Sequence, residues 1–146
     1  MKVQRAESPA ILAGHDAARA FFASCFSPRV RDETPARGDT IGRGETLWVA
    51  HVDDSARCLH LSSYAGAIDA VDLPVRAIIT DAARLGSAGV VLAHNHPSGD
   101  ATPSASDCRA TRRLARAAEA IDVAVVDHLV FAGADQCRSL RRMGLL

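Results

Sequence analysis

His94-Asn95-His96-Pro97-Ser98-Gly99, followed by Ser104 and Asp107, closes the apolar run Gly89-Val90-Val91-Leu92-Ala93. A short unbroken apolar run ahead of a Pro-Gly turn reads as a buried strand. Side chains alternate across a strand, so His94 and His96 share one side and Asn95 faces the other. Pro97-Ser98-Gly99-Asp100 breaks the strand, and Thr102-Pro103-Ser104 opens a helix. Asp107 lies three residues into that opening and can return to the histidines. Two imidazoles and a carboxylate on a strand end and a helix start supply three zinc ligands and leave a fourth position open. That open position separates a catalytic zinc site from a structural one. Ser104-x-x-Asp107 is equally the spacing of a capping box, in which Ser104 caps the helix and Asp107 supports its first turn. Asp100, in the turn, is the competing carboxylate.

Outward from this core, Asp16 to Phe26 reads as an amphipathic helix with Phe21, Phe22 and Phe26 available for packing, stopped at Ser27-Pro28. Arg29 to Gly44 is polar, carries interspersed Pro and Gly, and reads as a loop. Leu47 to Val52 and Cys58 to Tyr64 form an expected strand pair joined through Asp53-Asp54-Ser55. Val75 to Leu85 reads as a helix ended by Gly86-Ser87. The metal-bearing strand, a Ser104 to Ile121 helix and a Val123 to Phe131 strand follow. The expected class is α/β (α+β), a mixed sheet flanked by helices. Arg109, Arg112, Arg113 and Arg116 share one face of the last helix, with Ala110, Leu114, Ala117 and Ile121 as the opposite, core-facing stripe.

Composition bounds the function. At 146 residues the chain fits one domain with a core that needs no staples. Seventeen basic and seventeen acidic side chains cancel, so the whole chain has no electrostatic attraction to nucleic acid or membrane. Cys25, Cys58, Cys108 and Cys137 are widely spaced without a C-x-x-C pair, as expected of thiols in a reducing compartment. Cys108, although next to Asp107, points elsewhere on the helix. No apolar run approaches the ~20 residues of a membrane span. Met1 to Glu7 lacks the apolar core of a signal peptide, so the cytoplasm is the expected location.

His94-x-His96-Pro97, with Ser104 and Asp107 at their spacing, resembles the JAMM signature of the JAB/MPN metalloprotease superfamily. The longer string from His94 through Ser98-Gly99-Asp100-x-Thr102-Pro103-Ser104 to Asp107 resembles the RadC branch in particular. Asp127-His128 and the closing Ser139-Leu140-Arg141-x-x-Gly144-Leu145 resemble the same branch, and the likeness runs from about Glu45 to Leu146. The resemblance implies a JAB/MPN, cytidine deaminase-like architecture. It implies one domain composed of an N-terminal helix segment (1–28), a loop (29–44) and a metal-binding core (45–146). It also implies Zn2+ held by His94, His96 and Asp107 with water as the fourth ligand. Ser104 would stabilise the oxyanion, and a glutamate entering an earlier strand would act as general base. Glu45 leads such a strand; Glu33 competes, but Pro35, Gly38, Gly42 and Gly44 separate it from any strand.

The function so implied is a zinc metallohydrolase, a metallopeptidase or isopeptidase cleaving amide bonds of peptide or protein substrates. Two features depart from that pattern, and several further residues stand beside it. The N-terminal helix-hairpin-helix region usual in full-length RadC-like proteins is not expected here, so that the chain resembles the short form, and Tyr64-Ala65-Gly66-Ala67 lacks the Arg and Thr that usually flank that glycine. Asp127-His128 reads as a strand-end aspartate and a satisfied core histidine, ahead of a role as partners of metal-bound imidazoles. His15, His51 and His60 have no motif context and read as structural or surface residues. The alternatives are a DNA-associated, DNA-repair RadC-type protein that uses the arginine face on phosphates, and a metal-free interaction module. The module is disfavoured because every expected ligand is present. A homodimer is left open, and no membrane partner is expected.

Overall fold

A computed structural model describes residues 9–26, 45–65, 73–133 and 135–146. The expected stop at Ser27-Pro28, the 29–44 loop with Glu33, and the departure at Gly66 and Ala67 lie outside the described residues. The elements run α1 (His15–Ala23, continued by a 3-10 turn at Ser24–Phe26), β1 (Thr46–Val52), β2 (Cys58–Ala65), α2 (Val75–Leu85), β3 (Gly89–Asn95), α3 (Ala105–Glu119), β4 (Ala124–Ala132) and β5 (Gln136–Ser139). The sheet order is β2-β1-β3-β4-β5, with β3 and β4 parallel and every other neighbouring pair antiparallel. This is the expected mixed sheet with helices.

Local chemistry explains the boundaries. The Asp53 carboxylate accepts from the Ser55 and Arg57 amides at 2.9 Å, which closes the β1–β2 turn. Gly86 adopts the left-handed conformation (φ 64°) that ends α2, as its sequence position predicts. At Gly89 an added Cβ would sit 2.9 Å from a Val126 methyl and 3.2 Å from the Ala124 carbonyl oxygen. Glycine here lets the crossover strands β3 and β4 start in close contact.

Strand alternation sorts the core onto two faces. Leu47, Val49, Val90 and Leu92 pack against Ile78 and Ala82 of α2 and Leu114 and Ala118 of α3. Ala50, Val91 and Ala93 pack with Phe22 of α1 and with Phe131 on the opposite face. Leu114 is fully buried, and its side chain contributes roughly 1.5–3 kcal/mol of transfer free energy.

Two expectations need correction. The inward stripe of α3 is Asp107, Cys108, Thr111, Leu114 and Ala118, whereas Ala110 and Ala117 are half-buried and Ile121 is 39% exposed beyond the helix end. Two polar residues occupy the inward stripe, so apolar periodicity alone set the wrong phase. Strand β5 was not anticipated; Gln136–Ser139 has no apolar alternation and is held as a strand by pairing with Leu129–Ala132.

Candidate metal centre

The end of β3 and the start of α3 meet at one point. His94 and His96, two apart on the strand, bring their Nε2 atoms to 2.9 Å. Between them Asn95 turns its Oδ1 to the Thr46 N–H at 2.7 Å and ties the end of β3 to the start of β1. Asp107 Oδ2 stands 3.1 Å from His96 Nε2 and 3.6 Å from His94 Nε2. Ligand atoms of all three residues lie within 4.8 Å of one another, a group able to hold a metal ion.

Proton positions test the fit. His96 Nδ1 lies 2.8 Å from the Asp100 carbonyl oxygen, which can only accept, so the neutral ring carries its proton on Nδ1 and presents a lone pair at Nε2. Asp107 Oδ2 presents another lone pair 3.1 Å away. Two unshared pairs at that distance repel unless a cation lies between them. Two imidazole nitrogens and a carboxylate oxygen are the donor types of zinc centres that keep an open position. The residues fit.

Ser104 Oγ accepts from the Asp107 amide at 3.0 Å, and the Ser104 amide donates to Asp107 Oδ2 at 2.8 Å, completing a capping box. The box aims the Asp107 carboxylate at the histidines while leaving the exposed hydroxyl its own proton to donate. Burial alone would raise the Asp107 carboxyl. The hydrogen bond from the Ser104 N–H opposes this, and the carboxyl is held below the usual carboxylate range. The Asp100 carboxylate lies outside this group: it accepts from the Thr102 amide at 2.9 Å, while the Asp100 carbonyl holds His96.

Glu45 immediately precedes β1. The β1–β3 register pairs Leu47 with His94, so two further steps put Glu45 opposite His96. Alternation gives it the parity of Leu47 and Val49, on the face that carries both histidines. Its Oε2 is buried without a hydrogen-bond partner. A buried carboxylate oxygen left unpaired is costly in a purely structural role.

Asp127 and His128 occupy the middle of β4, both buried, so the strand-end reading is corrected. Asp127 is structural: Oδ1 accepts from the His128 and Arg141 amides, and Oδ2 from the Ser139 hydroxyl at 2.5 Å. His128 stands against the metal centre, its Nε2 2.6 Å from His94 Nδ1 and its Nδ1 2.7 Å from Thr111 Oγ1. Its complete burial, and then the adjacent His94, push its imidazole well below the ordinary range, so it is neutral. Thr111 was not singled out by sequence reasoning. Its signal was the i+4 spacing from Asp107, which stacks the two on one helix face. Cys108 packs with Val130 and Leu140 away from the centre, and His51 hydrogen-bonds Ser87 at 3.1 Å.

A mixed sheet with helices and a His-x-His…Asp cluster at the end of its central strand fits a JAB-type domain. The chain belongs to the RadC-like JAB domain family, which it matches over residues 22–145. It is 41% identical to the UPF0758 protein YfjY of Escherichia coli K12 over 87 residues, 60% of this chain and 54% of that protein. UPF0758 proteins of Chloroflexus aggregans and Chloroflexus aurantiacus are 39% and 40% identical over 82 residues, 56% of this chain and 35% of each relative. The chain spans about half the length of the first relative and about a third of the other two. Among the described residues no helix is long and apolar enough to cross a membrane.

Proposed function

We propose that the protein is a zinc-dependent hydrolase of amide bonds, a metallopeptidase or isopeptidase acting on peptide or protein substrates. The observation that carries this reading is the convergence of His94 Nε2, His96 Nε2 and Asp107 Oδ2 on one point. Zinc held there would supply a Lewis acid that polarises a carbonyl and brings water toward ionisation near neutral pH. Glu45 takes the proton of the attacking water with its unpaired carboxylate oxygen and delivers it to the leaving amine nitrogen. The Ser104 hydroxyl donates to the carbonyl oxygen as negative charge develops on it. The expected consequence is hydrolysis abolished by chelators and reduced about 10²–10⁴-fold in Glu45→Gln, a change that keeps the metal. Cleavage of peptide and isopeptide substrates, measured beside zinc content, checks it. Full activity in Glu45→Gln would remove the base from the mechanism.

Exposed Arg109, Arg112, Arg113 and Arg116 on α3 favour a second reading, a nucleic-acid-associated protein of the DNA-processing kind. A salt-sensitive gel shift lost on changing Arg112 and Arg113, and indifferent to Glu45→Gln, would favour it over the hydrolase. The cytoplasm remains the proposed location, with a homodimer as the oligomer to test by light scattering.

A further inference from the structure

We infer that Thr111 and His128 form a hydrogen-bonded relay that fixes the ring proton of His94 on Nδ1 and thereby aims its Nε2 lone pair at the metal. The inference deepens the metal reading above and rests on it for its purpose, though its proton assignment is independent of zinc. The relay starts at the Asp107 main-chain carbonyl, which can only accept. Thr111 Oγ1 lies 2.7 Å from it, so the single hydroxyl proton points there. Thr111 Oγ1 must then accept at its other contact, from His128 Nδ1–H at 2.7 Å. A neutral imidazole has one ring proton, which leaves a lone pair on His128 Nε2. That lone pair, 2.6 Å from His94 Nδ1, takes a hydrogen bond from it. His94 Nε2 is therefore bare on the side of His96 and Asp107.

The chain begins on the carbonyl of Asp107 and ends beside the carboxylate of the same residue, so one aspartate orients two ligands. Thr111 is 0%, His128 1% and His94 3% exposed, so solvent does not offer these groups alternative partners. Position follows from topology: β3 and β4 pair Leu92 with His128, which sets His128 on the His94 face, two residues back along the strand. Without the Thr111 hydroxyl, His128 Nδ1–H would face an apolar wall. Its proton then moves to Nε2 and donates to His94 Nδ1, and the His94 proton passes to Nε2, where it occupies the ligand atom. Thr111 and His128 are positioning residues.

The test compares wild type with Thr111→Val, which keeps volume and loses the hydroxyl, and Thr111→Ser, which does the reverse. Zinc affinity is read by chelator competition, the His94 tautomer by nitrogen-15 NMR of the zinc-free proteins, and folding by thermal melting. The relay predicts a zinc affinity about 10–100-fold weaker in Thr111→Val, restored in Thr111→Ser. It also predicts a wild-type His94 proton on Nδ1, shifted to Nε2 in the valine variant alone. A packing role would rank the variants by melting temperature and leave the tautomer unmoved, which would overturn the relay. Wild type without zinc but with His94 protonated on Nδ1 would sink the metal reading and uphold the assignment. Zinc held equally tightly by wild type and Thr111→Val, with one unchanged tautomer, would sink the relay and leave the metal centre standing. If the valine variant does not fold, wild-type His94 decides: a proton on Nε2 overturns the inference.

Discussion

Asp107 and Asp127 are both buried aspartates, 7% and 8% exposed, on the neighbouring elements α3 and β4, yet they serve opposite ends of the chemistry. Asp127 is saturated by its own chain. Two amides and a hydroxyl meet its two oxygens and fasten the C-terminal segment to β4. Asp107 receives one amide at Oδ2 and directs the same oxygen toward two imidazole nitrogens. Burial therefore does not distinguish a site acid from a structural one. The identity of the surrounding partners does: main-chain amides and a hydroxyl satisfy Asp127, whereas Asp107 has one amide and faces two imidazole nitrogens.

That contrast breaks first at Asp107→Asn. The amide oxygen can still accept from Ser104, but the charge is gone, so zinc affinity should fall by at least about 100-fold with the fold retained by circular dichroism. Asp127→Ala should do the reverse. It strands a buried hydroxyl and two amides, so chemical denaturation should show a loss of about 3 kcal/mol with zinc binding unchanged. Loss of zinc in that variant would erase the distinction.

A pH series sharpens the comparison. The Asp107 carboxyl is held below its unfolded value, so its stabilisation is present above about pH 4 and is lost as pH falls through the folded value. In chelator-treated protein the stability gap between wild type and Asp107→Asn should therefore narrow from pH 7 to pH 3. A gap that widens would give the shift the wrong sign. The smallest effect lies on β5, which the Asp127 clamp holds. Burial pushes the Cys137 thiol up to about 11, with Asp127 adding to the rise against the pull of Arg19. Alkylation of Cys137 at pH 8 should be slow in wild type and faster in Asp127→Ala.

Much of this was legible in the chain. The apolar run ending in His94-Asn95-His96 specified β3 and its face, Gly86 specified the end of α2, and Ser104-x-x-Asp107 specified the helix start. These are local signals, each carried by a few adjacent residues. His128 was legible as a buried histidine and not as the partner of His94, because register between β3 and β4 is a property of two strands 34 residues apart. The phase of α3 was misread because Thr111 and Asp107 face inward for hydrogen bonding, which hydrophobic periodicity does not count. β5 exists by pairing, so its own four residues carry little of the signal.

The most direct test is a zinc titration of the purified chain beside His96→Ala. Convergence of the two Nε2 atoms and Asp107 Oδ2 predicts saturation at one zinc per wild-type chain and none in the variant. Wild-type protein that shows no saturable uptake, or a variant that still binds one equivalent, would contradict it.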